Sequence, residues 1–260
     1  MSLVEILKNA SVSDKGLAAD LPGAWTQGRT GYGGMTSALC LAAAQRLAEG
    51  RPLRSALIGF VGPSAGPVTV TADKLRAGRT ATSVKARLGS DQGVGVEALF
   101  TFSARRPSVL DHAGPAAPAG PPGPDAKPLD FPDGAPEFTR QLEFVWAGGA
   151  APFTGAAQPH ELAWVRHRDP ASRDHKLGLL CLADALPPAV SPMLEGFAPL
   201  SSMTWMIDML SDEPRTRDGW WLLEARADHA AGGHATQDMT IWNTDGSCVA
   251  KGRQMVTVFA

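Results

Sequence analysis

Asp184 is the residue of this chain whose surroundings point most directly to chemistry. It is the only charged residue between Leu177 and Leu194, in the run LGLLCLADALPPAVSPML. A carboxylate in an apolar stretch is costly to desolvate unless another group pairs with it, and perturbed titratable groups concentrate at functional sites. Two interpretations are open at this point: a working carboxylate, and a structural one that caps a turn before Pro187 and Pro188.

The composition of the chain excludes several classes of protein. Its 260 residues are 44% hydrophobic and 19% charged, which is typical of a globular protein with one large domain or two smaller ones. The net charge of −2 offers no basic surplus for nucleic acid or for an anionic membrane, so we expect neither partner. The start of the chain, MSLVEILKNASVSDKG, lacks the pattern of a signal peptide, and we therefore expect a cytoplasmic protein.

Other residue types that could do chemistry give weaker patterns. Cys40, Cys181 and Cys248 lie far apart, which predicts free cysteines and no zinc site. His229 and His234 flank a turn, where they could meet a phosphate or a metal or could simply face solvent. The chain has no Gly-Lys-Ser/Thr phosphate loop. We expect an activity that uses no cofactor and no metal.

A connector divides the chain near its midpoint. Residues 112–136 read HAGPAAPAGPPGPDAKPLDFPDGAP, a composition typical of a semi-rigid linker. It separates a first domain, residues 1–111, from a second, residues 137–260.

Each half combines one apolar helix with several strands. The chargeless stretch after Gly31 predicts a buried helix over 34–48, and the run around Asp184 predicts a second helix over 174–186. Alternating segments bounded by turn residues predict antiparallel strands, at 54–62, 67–78, 79–90 and 93–104 and again at 140–146, 161–168, 201–210, 219–230, 233–243 and 247–259.

Local identities indicate that one half duplicates the other. LCLA occurs at 39–42 and again at 180–183, and Ala81-Thr82 precedes Ala235-Thr236 by 154 residues. The order of elements predicts an α+β unit, a long helix wrapped by a curved antiparallel sheet, present twice. Two such units can pair edge to edge and protect both edge strands.

These features together resemble the tandem (double) hotdog fold of the TesB-like acyl-CoA thioesterases. The resemblance runs from about Trp25 to Phe259 and rests on the Gly33-Gly34 entry to the first helix, the segment LRSALIGFVGP, the connector and the closing segment DGSCVAKGRQMV. It implies an enzyme of lipid metabolism that hydrolyses acyl-CoA to free acid and CoA. It also leads us to expect a homo-oligomer.

The resemblance further implies three site residues in the second half. In the family an Asp, a Ser or Thr, and a Gln hold the attacking water, and these positions fall on Asp184, on Ser202 in LSSMTW, and on Gln254 in GRQMV. Ser201 is the alternative hydroxyl. A desolvated carboxylate can accept a proton near neutral pH, while neutral hydroxyl and amide groups orient the water. Backbone N–H groups at Gly33-Gly34 are candidates for stabilising the oxyanion.

The first half lacks this polar set. Asp184 corresponds to Ala43 through the LCLA match, and Gln254 corresponds to Phe100 through the offset of 154, so we expect a single site. The family often has Gln where Met35 stands, and some members have His where Arg54 stands. Two alternatives are open: a lyase similar to the hotdog enoyl-CoA hydratases, and an acyl-CoA-binding protein without catalysis.

Overall fold

One antiparallel sheet of twelve strands forms the framework of the protein. The computed structural model describes residues 1–260. The first half contributes β1 (Ser11–Ser13), β2 (Gly16–Leu21), β5 (Leu53–Phe60), β6 (Gly66–Ala77), β7 (Ala81–Ser90) and β8 (Gly93–Ser103), and β3 (Thr26–Gln27) and β4 (Thr30–Gly31) pair separately. The second half contributes β9 (Leu142–Gly149), β10 (His160–His167), β11 (Leu200–Met209), β12 (Trp221–Ala231), β13 (His234–Trp242) and β14 (Cys248–Val258).

The two halves meet in the middle of this sheet. The strand order is β1-β2-β6-β7-β8-β5-β11-β14-β13-β12-β10-β9, and β5 pairs antiparallel with β11, with Leu57 opposite Met206. Counted outward from this central pair, the order is β5-β8-β7-β6-β2-β1 in the first half and β11-β14-β13-β12-β10-β9 in the second. The two halves therefore arrange their strands in the same way. The pairing leaves neither β5 nor β11 as an open edge.

Alternating side chains along the strands separate an inner, apolar face from an outer, solvated one. On β6, for example, Val68 and Val70 are buried whereas Thr69 and Thr71 are exposed. The inner face joins the helices in one hydrophobic core of 52 buried residues. This alternation is the pattern that predicts the strands, and β5 to β14 each lie within a few residues of a predicted range. The four short strands before residue 32 were not predicted.

Helix α2 (Gly33–Ala44) runs through the core of the first half, where it contacts β6, β7 and β8. Apolar and small residues on all sides make it an interior helix, and Leu39 and Cys40 have no exposed surface. The prediction of a helix at 34–48 is confirmed, with the difference that Gln45–Leu47 form a 3-10 turn. Helix α1 (Leu3–Asn9) precedes it in the chain.

The prediction of a second long helix over 174–186 is wrong. The segment contains one short helix, α4 (Gly178–Ala183), and a separate four-residue helix, α3 (Pro170–Arg173), lies before it. Helix α4 ends because Asp184 already leaves helical geometry, at φ −93° and ψ 13°, and because Pro187 disfavours helical backbone in the residue before it. A non-helical segment therefore connects Asp184 to β11, interrupted by one 3-10 turn.

The Pro-rich connector packs against the second half instead of spanning solvent. No helix or strand forms between Ser103 and Glu137, but the Pro115 carbonyl accepts a 2.7 Å hydrogen bond from Trp242 Nε1, and Leu129 N–H donates to the Phe144 carbonyl at 2.7 Å. The connector covers part of the outer face, where four buried apolar side chains form a small cluster: Leu162, Trp164, Leu222 and Trp242. The connector can pack there because this part of the outer face is apolar.

Candidate active site

Asp184 lies where the end of α4 meets the start of α2, so elements from both halves of the chain surround it. A β-carbon built on Gly33 would lie 2.5 Å from Asp184 Oδ2 and 2.9 Å from the Phe60 ring. The backbone N–H of Gly34 lies near the Asp184 carboxylate and lowers its pKa. The carboxylate therefore occupies the N-terminal end of a 12-residue helix, a position that favours negative charge.

Gln254 approaches the same carboxylate from the sheet. It lies on β14 with its side chain on the inner face and only 3% exposed. Its Nε2 donates a 2.5 Å hydrogen bond to Asp184 Oδ1. The structure thus brings together two of the three residues that the resemblance implied, across 70 residues of sequence.

The environment of Asp184 moves its titration into the neutral range. Burial raises the pKa of its carboxyl from 3.8 to about 7, and the hydrogen bonds from Gln254 and Gly34 act in the opposite direction. No cationic side chain contributes to this pKa. Part of the residue remains accessible to solvent.

Two other titratable groups face Asp184, and both stay neutral. Tyr32 Oη donates a 2.8 Å hydrogen bond to the Cys181 carbonyl, which ties the start of α2 to α4. Burial raises the pKa of Tyr32 and of the Cys181 thiol well above their ordinary values, and the charge of Asp184 adds to both. Asp184 is therefore the group at this junction that can act as a base at neutral pH.

Ser202 shares the inner face of the sheet with Gln254 but makes no hydrogen bond with it or with Asp184. Ser202 lies opposite Val256, which is fully buried, whereas Ser201 lies opposite Thr257 and is exposed. Residues directly opposite each other in an antiparallel pair share a face. The register therefore directs Ser202, and not Ser201, toward the side of the sheet on which Gln254 lies.

Gln237 is a residue of this site that the sequence analysis missed. It lies on β13 opposite Gln254 and is 2% exposed. Its Nε2 donates to Gln254 Oε1 at 2.8 Å, and its Oε1 accepts the backbone N–H of Ala189 at 2.7 Å. The signal was present in the sequence, since Gln237 occupies an inward position between Ala235 and Met239 on an otherwise apolar face.

The remaining sequence candidates lie outside this site. His229 and His234 are exposed at their turn, and the three cysteines are free, as predicted. Met35 is fully buried. No group of three or more His, Cys, Asp or Glu side chains could hold a metal ion, and two open grooves of about 980 and 630 Å³ are lined by neither Asp184 nor Gln254.

Comparison with solved structures identifies the class of fold. The whole chain matches a conserved protein with a hot dog fold from Alicyclobacillus acidocaldarius at 22% identity, with a TM-score of 0.87 and 99% of that chain covered. It matches the tesB protein of Mycobacterium avium subsp. paratuberculosis at 19% identity, with a TM-score of 0.77 over 100% of both chains. It matches acyl-CoA thioesterase II of Mycobacterium marinum at 18%, with a TM-score of 0.76 over 100% of this chain and 99% of that one. These likenesses establish a hotdog fold.

Family models identify the protein more closely. Residues 21–103 match the acyl-CoA thioesterase N-terminal domain, and residues 115–258 match the acyl-CoA thioesterase C-terminal domain. A search of curated protein sequences found no significant match. The chain belongs to the acyl-CoA thioesterase family and is a thioester hydrolase. None of its helices is both long and apolar enough to cross a lipid bilayer.

Proposed function

We propose that this protein hydrolyses acyl-CoA thioesters to free acid and CoA, with a water molecule held by Asp184, Ser202 and Gln254. The observation that carries the proposal is the 2.5 Å contact between Asp184 and Gln254 at the start of α2. A carboxyl group whose pKa is about 7 and which has an oriented amide beside it suits general base catalysis at neutral pH.

The reaction follows from these groups. Ionised Asp184 takes a proton from the water, and the water oxygen forms a bond to the thioester carbonyl carbon. The tetrahedral intermediate then breaks its carbon–sulfur bond, and the proton held by Asp184 passes to the departing sulfur. The products are the carboxylic acid and the CoA thiol, so the enzyme regains its starting state. Ser202 and Gln254 orient the water without changing their own charge.

We infer that the N–H of Gly33 faces the developing oxyanion. The first four N–H groups of a helix have no partner within it. At α2, the N–H of Tyr32 donates to the Trp25 carbonyl at 2.8 Å and that of Met35 donates to the Tyr32 carbonyl at 3.1 Å. The N–H of Gly34 lies near the Asp184 carboxylate. Gly33 supplies the remaining donor, and its α-carbon lies beside the Asp184 carboxylate.

The proposal treats the molecule as two hotdog units with a single site. The family models divide the chain near the predicted linker, residues 112–136, and the strand order of the two halves is the same. Ala43 and Phe100, the counterparts of Asp184 and Gln254, are buried in the core. The domain limits 1–111 and 137–260, the homo-oligomer and the cytoplasmic location stay predictions.

A thiol-release assay on acyl-CoAs of graded chain length, including aromatic ones, tests the proposal and separates it from its alternatives. We expect stoichiometric release of free thiol with at least one acyl class. Hydration of crotonyl-CoA, seen as loss of its ultraviolet absorbance without thiol release, would favour the lyase instead. Saturable acyl-CoA binding with neither reaction would favour the binding protein.

A further inference from the structure

Asp184, Gln254, Gln237 and Ala189 form a closed ring of hydrogen bonds. Ala189 N–H donates to Gln237 Oε1 at 2.7 Å, Gln237 Nε2 donates to Gln254 Oε1 at 2.8 Å, and Gln254 Nε2 donates to Asp184 Oδ1 at 2.5 Å. The backbone from Asp184 to Ala189 completes the ring. Both glutamines are at least 97% buried, since their exposed fractions are 2% and 3%.

The Ala189 N–H sets which group donates and which accepts in every hydrogen bond of the ring. A backbone N–H can only donate, so Ala189 requires the oxygen of the Gln237 amide. The Gln237 amide nitrogen must then face Gln254 and requires the Gln254 oxygen. This leaves the Gln254 nitrogen directed at Asp184. An amide that was free to turn would offer Asp184 either its oxygen or its nitrogen.

We propose that Gln237 is a positioning residue that fixes the Gln254 amide with its donor toward the Asp184 carboxylate. The fixed donor favours ionised Asp184, the form that accepts a proton from water. Because Ala189 belongs to the segment that follows Asp184, the ring also ties this segment to the sheet. A role of Gln237 in catalysis rests on the proposed hydrolysis, whereas its effect on the pKa of Asp184 does not.

Other groups around Asp184 do not provide the same control. The Gly34 N–H of α2 lies near it and lowers its pKa, but a backbone N–H can only donate. Phe60 of β5 packs nearby without charge, and Tyr32 and Cys181 have raised pKa values and stay neutral. Of the polar side chains around the carboxylate, Gln254 is therefore the one whose orientation decides between a donor and an acceptor.

Substituting Gln237 in two ways tests the inference. Gln237→Met keeps the length of the side chain but removes its hydrogen bonds, so the Gln254 amide can turn its oxygen toward protonated Asp184. We expect the apparent pKa of Asp184 to rise by about 1 and kcat/KM at pH 6 to fall about ten-fold. KM should change little, because no contact with substrate is removed.

Gln237→Glu gives a sharper result if the first variant is poorly folded. While protonated, the introduced carboxyl accepts from Ala189 and donates to Gln254, so the ring keeps its direction. Once ionised it can only accept, so the Gln254 amide must turn its nitrogen away from Asp184. We therefore expect near-normal activity at low pH and a new alkaline limb in the pH–kcat profile, absent from the wild type. Gln92→Met, at an exposed hairpin turn, is the matched control.

Titration of ¹³C-labelled aspartate carboxyls by NMR separates this inference from the proposed function. The Asp184 signal is assigned by its loss in Asp184→Asn. A higher Asp184 pKa in Gln237→Met, together with an alkaline limb in Gln237→Glu, supports the positioning role. The same shift in a protein without thioesterase activity would keep that role and reject the hydrolysis. An unchanged Asp184 pKa in folded Gln237→Met would overturn the positioning role, whatever the activity.

Discussion

A methyl group on Gly33 would lie 2.5 Å from Oδ2 of Asp184. The start of α2, in the first half of the chain, and the residue that ends α4, in the second, thus approach each other as closely as a glycine permits. The chemistry assigned to the second half depends on a backbone position in the first half.

Gly33→Ala should therefore impair catalysis more than folding. The added methyl group must displace the Asp184 carboxylate or the Phe60 ring, and a misplacement of 1 Å in a catalytic group can lower the rate about 10²-fold. We expect kcat to fall by about that factor in a thiol-release assay. Gly23→Ala is the control, since a β-carbon there meets no atom within 4 Å. Equal loss in both variants would argue against the contact.

The two neighbouring serines give a matched pair. Ser202→Ala should lower kcat by roughly five- to ten-fold, the effect of one neutral hydrogen bond of about 1 kcal/mol. Ser201→Ala should leave kcat unchanged, because Ser201 lies opposite Thr257 on β14 and is exposed. Steady-state kinetics of both variants checks the assignment, and the reverse order of effects would move the site hydroxyl to Ser201.

Asp184 should make the protein less stable as the pH rises. The pKa of its carboxyl is about 7 in the folded protein, against an ordinary value of 3.8, so folding favours the protonated form. Its contribution to the free energy of unfolding is fully present below pH 4 and is lost as the pH approaches 7. Urea denaturation at several pH values should show that Asp184→Asn gains stability relative to the wild type over this range. A constant difference between the two proteins would contradict the raised pKa.

Glu161 carries a second raised pKa, away from the proposed chemistry. It is fully buried on β10, accepts a 2.7 Å hydrogen bond from Ser191 Oγ, and leaves its Oε2 without a partner. Burial raises the pKa of its carboxyl well above the ordinary value of 4.5. The stability that Glu161 contributes is therefore fully present below pH 4.5 and decreases as the pH rises from 4.5 toward the raised pKa.

Glu161→Gln should therefore change the free energy of unfolding in a more stabilising direction at pH 8 than at pH 4, because the amide has no charge to bury. Measured by urea denaturation in the Asp184→Asn background, the change isolates Glu161 from Asp184. Glu195→Gln, at an exposed position, should show no such dependence. An equal change in the free energy of unfolding at both pH values would mean that the pKa of Glu161 is the same in the folded and the unfolded protein.

The sequence predicted the strands well because inner and outer residues alternate along them, as on β6 and β13. It predicted α2 because that helix is apolar on every side. It overextended α4, because the apolar run continues past Asp184 while the backbone does not. The N-terminal elements were missed, although Ser2 and Glu5 form a capping box at the start of α1.

In the candidate site, the contact between Asp184 and Gln254 involves residues that charge and family pattern single out in the sequence. Gln237 carries no charge, and its role depends on a cross-strand contact and on a backbone N–H that only the folded chain brings near. The same holds for Gly33, which matters because it lies close to Asp184, a residue 151 positions later in the chain. Such relations follow from strand register and helix packing, which the sequence pattern does not give to the required accuracy.

The pH dependence of kcat/KM for the wild type and Asp184→Asn tests the central claim most directly. Asp208→Asn, at a partly buried aspartate on the neighbouring strand β11, is the control. With the best acyl-CoA of the panel, the wild type and the control should lose activity below pH of about 7, as the Asp184 carboxyl becomes protonated. Asp184→Asn should be about 10²–10⁴-fold slower, without that limb. If Asp184→Asn matched the wild type in rate and in pH profile, Asp184 would not be the base.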